Sequence, residues 1–147
     1  GRDPQGNWHA YSPEQIELVI ALIKDLVQRH KISPGNIVGH SDIAPQRKID
    51  PGPLFPWHTL AEQGLGRWYN VEAAQKYTQH FQQHGLPSNK TLQQWLKQAG
   101  YAIDLTGHWD LPTKNSWAAF QMHFRPKRYD GLPDAESAAI LKALLEN

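Results

Sequence analysis

The chain contains no cysteine. Disulfides and thiolate metal centres are therefore excluded, and any metal site must be built from histidine and carboxylate. A charge excess of one sign is missing too. Fifteen Lys and Arg stand against fourteen Asp and Glu, for a net charge of +1, so no broad basic field points to nucleic acid. Long apolar runs are absent. The longest, Leu18 to Ile23, lies between Glu17 and Lys24 and falls far short of the roughly 20 residues that span a membrane. The polar text that opens at Gly1 carries no signal-peptide pattern.

What is present is globular. The 147 residues are 39% hydrophobic and include six Trp, enough for one ordinary domain or two small ones. Ser12, Pro13 and Gln15 form the opening of a helix: an N-cap, a proline at the first helical position and a capping-box partner. Ile16, Val19, Ile20, Ile23, Leu26 and Val27 then recur at three- and four-residue steps, which predicts one buried stripe. Ser33 to Asn36 is a turn. Ile37 to His40 is expected as a short buried strand, and residues 56–64 as a short helix stopped by Gly64.

Residues 64–70 suit a linker, and 71–147 turn helical. One helix runs from Val71 to His84. Others are marked by Leu92, Trp95 and Leu96, by Trp117, Phe120 and Phe124, and by Ile140, Leu141, Leu144 and Leu145. A short repeat, Gly-x-x-Asp-x-x-[Ser/Thr], occurs at 107–113 and 131–137, placing Asp110 and Asp134 to cap the helices that follow.

The segment with chemical content is GHSDIAPQRKIDPGP, residues 39–53. It has neither helical nor strand period. Its prolines fix φ and restrict the residues before them, so it is stiff. A catalytic zinc site takes three protein ligands and leaves a fourth position open. A rigid loop leaving a strand could fold Asp50 back beside His40, with Pro51-Gly52-Pro53 behind it. Lys48 shares the parity of Asp50 if the segment is extended, and a lysine there could steady the oxyanion of a tetrahedral intermediate. Plainer readings compete. A histidine after a strand more often makes a structural hydrogen bond, Asp50 could start a turn, and Arg47 with Lys48 could be solvated surface. Asp42, two residues from His40, rivals Asp50 as a ligand. His30, His80, His84, His108 and His123 are weaker candidates, and His9 and His58 could border a cleft.

GHSDIAPQRKIDPGPLFPW resembles the C-terminal signature of the zinc-dependent N-acetylmuramoyl-L-alanine amidases of the type-2 family. The likeness is contiguous over residues 37–57 and loosens back through Ser12 to His30. It implies that His40 and Asp50 are zinc ligands, that Asp42 is not, and that Lys48 stabilises the transition state. Arg47 fits the motif as a candidate substrate contact. TLQQWLKQAGY and WAAFQMHF in the helical half resemble a three-helix peptidoglycan-binding domain.

The implied fold is the C-terminal part of an α/β amidase domain over residues 1–63, a mixed sheet flanked by helices. A linker over 64–70 leads to an all-α peptidoglycan-binding-like domain over 71–147. The implied cofactor is Zn²⁺ and the implied partner is peptidoglycan or a muropeptide. The two-part layout resembles the periplasmic, outer-membrane lipoprotein branch of the family. The resemblance also implies what is missing: a first zinc-ligand His and a general-base Glu, both expected upstream of Gly1, in an N-terminal part of the same enzyme that also carries the lipidated anchor. The alternative is a peptidoglycan-recognition protein that binds without cutting.

Overall fold

The first helix starts where its sequence says it should. In the computed structural model, which describes residues 1–147, the Ser12 hydroxyl accepts the Gln15 N–H and the Gln15 side chain accepts the Ser12 N–H, a closed capping box. This helix, α1, is Pro13–His30, and Lys31 ends it in the left-handed conformation. A 3₁₀ turn at Pro34–Asn36 follows, then α2 (His40–Ile43), α3 (Trp57–Glu62), α4 (Val71–His84), α5 (Asn89–Gln98), α6 (Leu111–Phe124) and α7 (Ala135–Leu145).

The expected mixed sheet is not there. The fold is helical throughout, and its β pairing is one isolated antiparallel bridge between Arg2 and Trp8. Residues 37–39 are non-helical but have no neighbouring strand, and His40 opens α2 instead of ending a strand. A strand without a partner leaves its N–H and C=O groups unpaired, so an isolated one is not a stable element. The helical half has four helices, α4 to α7, at the four places the sequence marked.

Helix α4 packs chiefly on α7, with α5 and α6 closing the bundle. Its core holds Phe81, Leu92, Leu96, Trp117, Phe120, Ile140, Leu141 and Leu144. Trp117 and Phe120 are fully enclosed, and burying each such side chain contributes about 1.5–3 kcal/mol. The two repeat copies are physically equivalent. Asp110 and Asp134 accept the N–H groups of Thr113 and Ser137. Each copy is also held by a buried glutamine. The Gln93 Oε1 accepts the Gly107 N–H while its Nε2 donates to the His108 carbonyl; Gln121 does the same with Gly131 and Leu132. Buried amides satisfied on both ends fix these loops.

A smaller cluster of Trp57, Leu60 and Leu65 underlies the first part of the chain, covered by Ile20, Ile23 and Val27 of α1. The predicted buried stripe is only half realised. No residue of α1 is fully buried, Leu26 is exposed, and Leu18 and Leu22 face outward on the other side. Residues 64–70 are packed rather than loose: Leu65 is buried, Arg67 donates to the Ala99 carbonyl, and Trp68 touches both clusters. No helix is long and apolar enough to cross a membrane.

Candidate metal and substrate site

Glycine at position 39 sets the geometry of the site. A Cβ there would lie 2.7 Å from Pro51 Cδ and 3.2 Å from both Asp42 Oδ2 and the Trp57 ring. With no side chain, residues 39–41 and 50–51 come into contact. The Ser41 N–H donates to the Asp50 carbonyl at 2.8 Å. As a result, His40 Nδ1 lies 3.2 Å from Asp50 Oδ2. Both side chains are substantially exposed, 45% and 62%.

The far side of the loop is clamped in turn. Gly52 has φ of +88°, and any Cβ there would fall 2.3 Å from the Trp8 ring, so glycine is required on both counts. The Tyr11 hydroxyl donates to the Pro51 carbonyl at 2.8 Å. Burial, then the nearby Asp50 charge, raise the Tyr11 pKa, which keeps that donor protonated. Phe55 packs edge-on against Tyr11 and Trp57.

Asp42 plays a different part from its neighbours. It is buried and turned away from the His40–Asp50 pair. Its Oδ2 accepts the Gly39 N–H at 2.8 Å and the His123 Nδ1–H at 2.8 Å, and its Oδ1 accepts the Tyr101 hydroxyl at 2.6 Å. A carboxylate only accepts, so the proton of that contact sits on His123 Nδ1. Burial first, then the Asp42 charge, push the Tyr101 pKa well above its ordinary value, so Tyr101 remains a donor. The His123 ring stacks on Trp57 at 4.0 Å. Asp42 thus ties α2 to α6 and to Tyr101 just after α5.

The pair His40 and Asp50 fits a zinc ion. Donor atoms sharing a tetrahedral zinc at about 2.0 Å each lie about 3.3 Å apart, close to the observed separation. No third His, Cys, Asp or Glu joins them. Lys48 is half-buried and Arg47 exposed, and neither forms an ion pair. His9 faces Asp3, and His58 lies near Glu62 and stacks on Trp68.

Sequence reasoning missed His123, Tyr101 and Trp57. His123 was ranked among the weaker histidines because nothing in local spacing links α6 to a loop 81 positions away. The available signal was a histidine inside the apolar run AAFQMHF, where only a partnered polar group is stable.

Comparison with known proteins bears on this segment. Residues 2–53 match the family described as N-acetylmuramoyl-L-alanine amidase, and residues 85–141 match the putative peptidoglycan binding domain family. The chain is 44% identical over 138 residues to N-acetylmuramoyl-L-alanine amidase AmiD of Escherichia coli K12, covering 92% of this chain and 49% of that protein. A putative N-acetylmuramoyl-L-alanine amidase of Rickettsia conorii is 30% identical over 134 residues, covering 86% and 48%. The crystal structure of AmpDh3 from Pseudomonas aeruginosa superposes with a TM-score of 0.90 at 43% identity, over 99% of this chain and 57% of that one. The E. coli AmiD complex with anhydro-N-acetylmuramic acid-L-Ala-D-γ-Glu-L-Lys gives 0.83 at 40%, over 96% and 55%. The chain spans about half the length of the curated relatives it matches over most of its residues. The resemblance drawn from residues 37–57 is borne out: residues 2–53 match the N-acetylmuramoyl-L-alanine amidase family.

Proposed function

We propose that this chain is part of a zinc-dependent amidase that cuts the amide between N-acetylmuramic acid and L-alanine in peptidoglycan or its fragments. The observation that carries the reading is the His40–Asp50 pair at 3.2 Å, inside the family-matched segment. In this reading His40 and Asp50 hold the ion, and a further His ligand and a general-base Glu come from outside the 147 residues. When bound, zinc supplies Lewis acidity toward the scissile carbonyl.

The chain's own residues then have separate tasks. Lys48, without a carboxylate partner, offers a positive charge to the oxygen that becomes negative as the carbonyl is attacked. Arg47 is a candidate contact for the substrate. Asp42 holds α2 so that His40 stays facing Asp50. Residues 1–63 serve as the catalytic part, 64–70 as the connection and 71–147 as the wall-binding part. The likeness to the lipoprotein branch supports a periplasmic location, with a lipid anchor outside these residues.

The test is the full-length protein on purified peptidoglycan. Expected are peptides released with a free L-alanine amino group, release stopped by a chelator, and release restored by Zn²⁺. Lys48→Ala should lower kcat by about 10²- to 10³-fold with little change in KM, since its charge acts once the oxyanion forms. Tight binding to the wall with no peptide released would instead establish the non-catalytic recognition protein.

A further inference from the structure

Three residues beyond Asp50, the chain enters one wall of a cleft of about 960 Å³ between the 53–58 segment, α4 and the end of α6. That volume is at the upper end of small-molecule sites, about 300–1,000 Å³. Most of its walls lie outside residues 85–141, the part that matches the peptidoglycan-binding family. We propose that this cleft is a saccharide site that binds uncharged amino sugars of the glycan strand, not the peptide stem. The proposal rests on the reading of peptidoglycan as substrate.

The first argument is the chemistry of the two walls. One wall is aromatic: His58 stacks on Trp68 at 4.8 Å and Trp68 on Tyr69 at 5.0 Å, forming a continuous slab beside Phe55. The α4 wall is Gln75, Thr78 and Gln79, which share one face of the helix. The charged Glu72 and Lys76 of the same helix line a different hollow. An aromatic stack lining the same cleft as neutral amides and a hydroxyl suits a sugar, which offers C–H faces to the rings and hydroxyl and acetamido groups to the polar side chains.

The second argument is charge. The ionic groups at the rim cancel among themselves. Arg125 pairs with Asp134 at 2.7 Å and with Glu136 at 3.5 Å, and Lys127 pairs with Glu136 at 3.0 Å. No cation is left over to receive the carboxylates of a stem peptide. A site for an acidic ligand normally presents unpaired Arg or Lys.

The third argument is an unmet polar demand. Two residues of the wall, Arg125 and His123, are more than nine-tenths buried, and their Nε and Nε2 atoms have no hydrogen-bond partner. Buried polar atoms are rarely left so, and the shortfall calls for a partner from a ligand or solvent.

The experiment is titration of the 147-residue chain with a soluble N-acetylglucosamine oligomer and, separately, with the free stem peptide. Resonances of the side-chain amides supply the readout. The oligomer should shift the Gln75 and Gln79 side-chain amides, and the peptide should not. Gln75→Ala with Gln79→Ala, followed through the Trp68 indole N–H of the same cleft because those amides are gone, should weaken oligomer binding by about tenfold, the scale of two lost hydrogen bonds. Both glutamines are exposed, so the thermal midpoint should not move. Equal binding by the double variant, or peptide shifts at these amides, would overturn the proposal. Neither the metal pair nor hydrolysis enters this measurement, so its failure leaves the amidase reading standing. Loss of the amidase reading would likewise leave a positive sugar titration intact.

Discussion

His123 donates from Nδ1 to Asp42 Oδ2 at 2.8 Å across 81 positions of sequence, with both side chains buried. The contact joins the helical half to the turn that carries His40. Replacing His123 with Ala removes one partner of a buried carboxylate and the ring stacked on Trp57. The expected loss is about 3 kcal/mol, read as a shift in the urea midpoint. His123→Gln, which can still donate, should recover part of it. A change below about 0.5 kcal/mol, the ordinary scale for surface substitutions, would show that the contact carries no stability.

Gly39 has an ordinary φ of −82°, so backbone strain is not the reason glycine stands there. Space is. Gly39→Ala puts a methyl group 2.7 Å from Pro51 Cδ, and the two segments must separate. Overpacking of this kind costs about 1–3 kcal/mol. The more telling effect is on Zn²⁺ affinity, which should fall by about 10- to 100-fold, as when supports of a ligand are disturbed. Gly35→Ala is the control, since its Cβ would meet only the flexible Arg67 side chain at 3.4 Å. Equal Zn²⁺ affinity in the two variants would remove Gly39 from the account.

These contacts mark the boundary of what the sequence discloses. Ser12, Asp110 and Asp134 were readable as caps because a cap is decided within four residues. The approach of Asp50 to His40 was readable as chemistry, because residue types and stiff prolines sit together within one short segment. The sheet was not realised because a strand depends on a neighbour that Ile37 to His40 does not have. The Asp42–Tyr101–His123 cluster was hidden for a related reason. Each member looks unremarkable in its own segment, and only packing of α2 against α6 brings them together.

Asp134 gives the fold a defined acid limit. Burial alone would raise its pKa. Hydrogen bonds from the Ser137 N–H, Arg125 and the Ser137 hydroxyl outweigh that and hold it below the ordinary 3.8. A carboxyl whose folded pKa is lowered adds stability above its unfolded pKa. That stability is lost as pH falls through 3.8 toward the folded value. Asp134→Asn keeps a capping oxygen but cannot titrate. The variant should therefore be less stable than the parent near neutral pH, and the gap should close as pH falls below 3.8. Urea midpoints across that range check it. A gap that stays constant would assign the effect to packing rather than to charge.

The last prediction separates ligand from support within one short stretch. His40 and Asp50 are exposed, and beyond their mutual contact the Asp50 side chain has no other hydrogen bond. Replacing either with Ala should leave the thermal midpoint nearly unchanged, within the small range of surface substitutions. Each change deletes one of two donors, so Zn²⁺ affinity should fall by at least about tenfold, whatever further ligand the complete site holds. Asp42 should behave the opposite way. Asp42→Ala leaves both donors in the chain, but strips the acceptor from Gly39, Tyr101 and His123. Stability should drop by about 3 kcal/mol or more, as for other buried carboxylates with hydrogen-bonded partners. Zn²⁺ should still bind under conditions where the variant is folded, more weakly because α2 is less firmly held. The two measurements, thermal midpoint and Zn²⁺ titration, therefore move in crossed directions for residues only two and eight positions apart. If Asp42→Ala abolished Zn²⁺ binding in a folded chain while Asp50→Ala spared it, the ligand assignment would have to pass from Asp50 to Asp42.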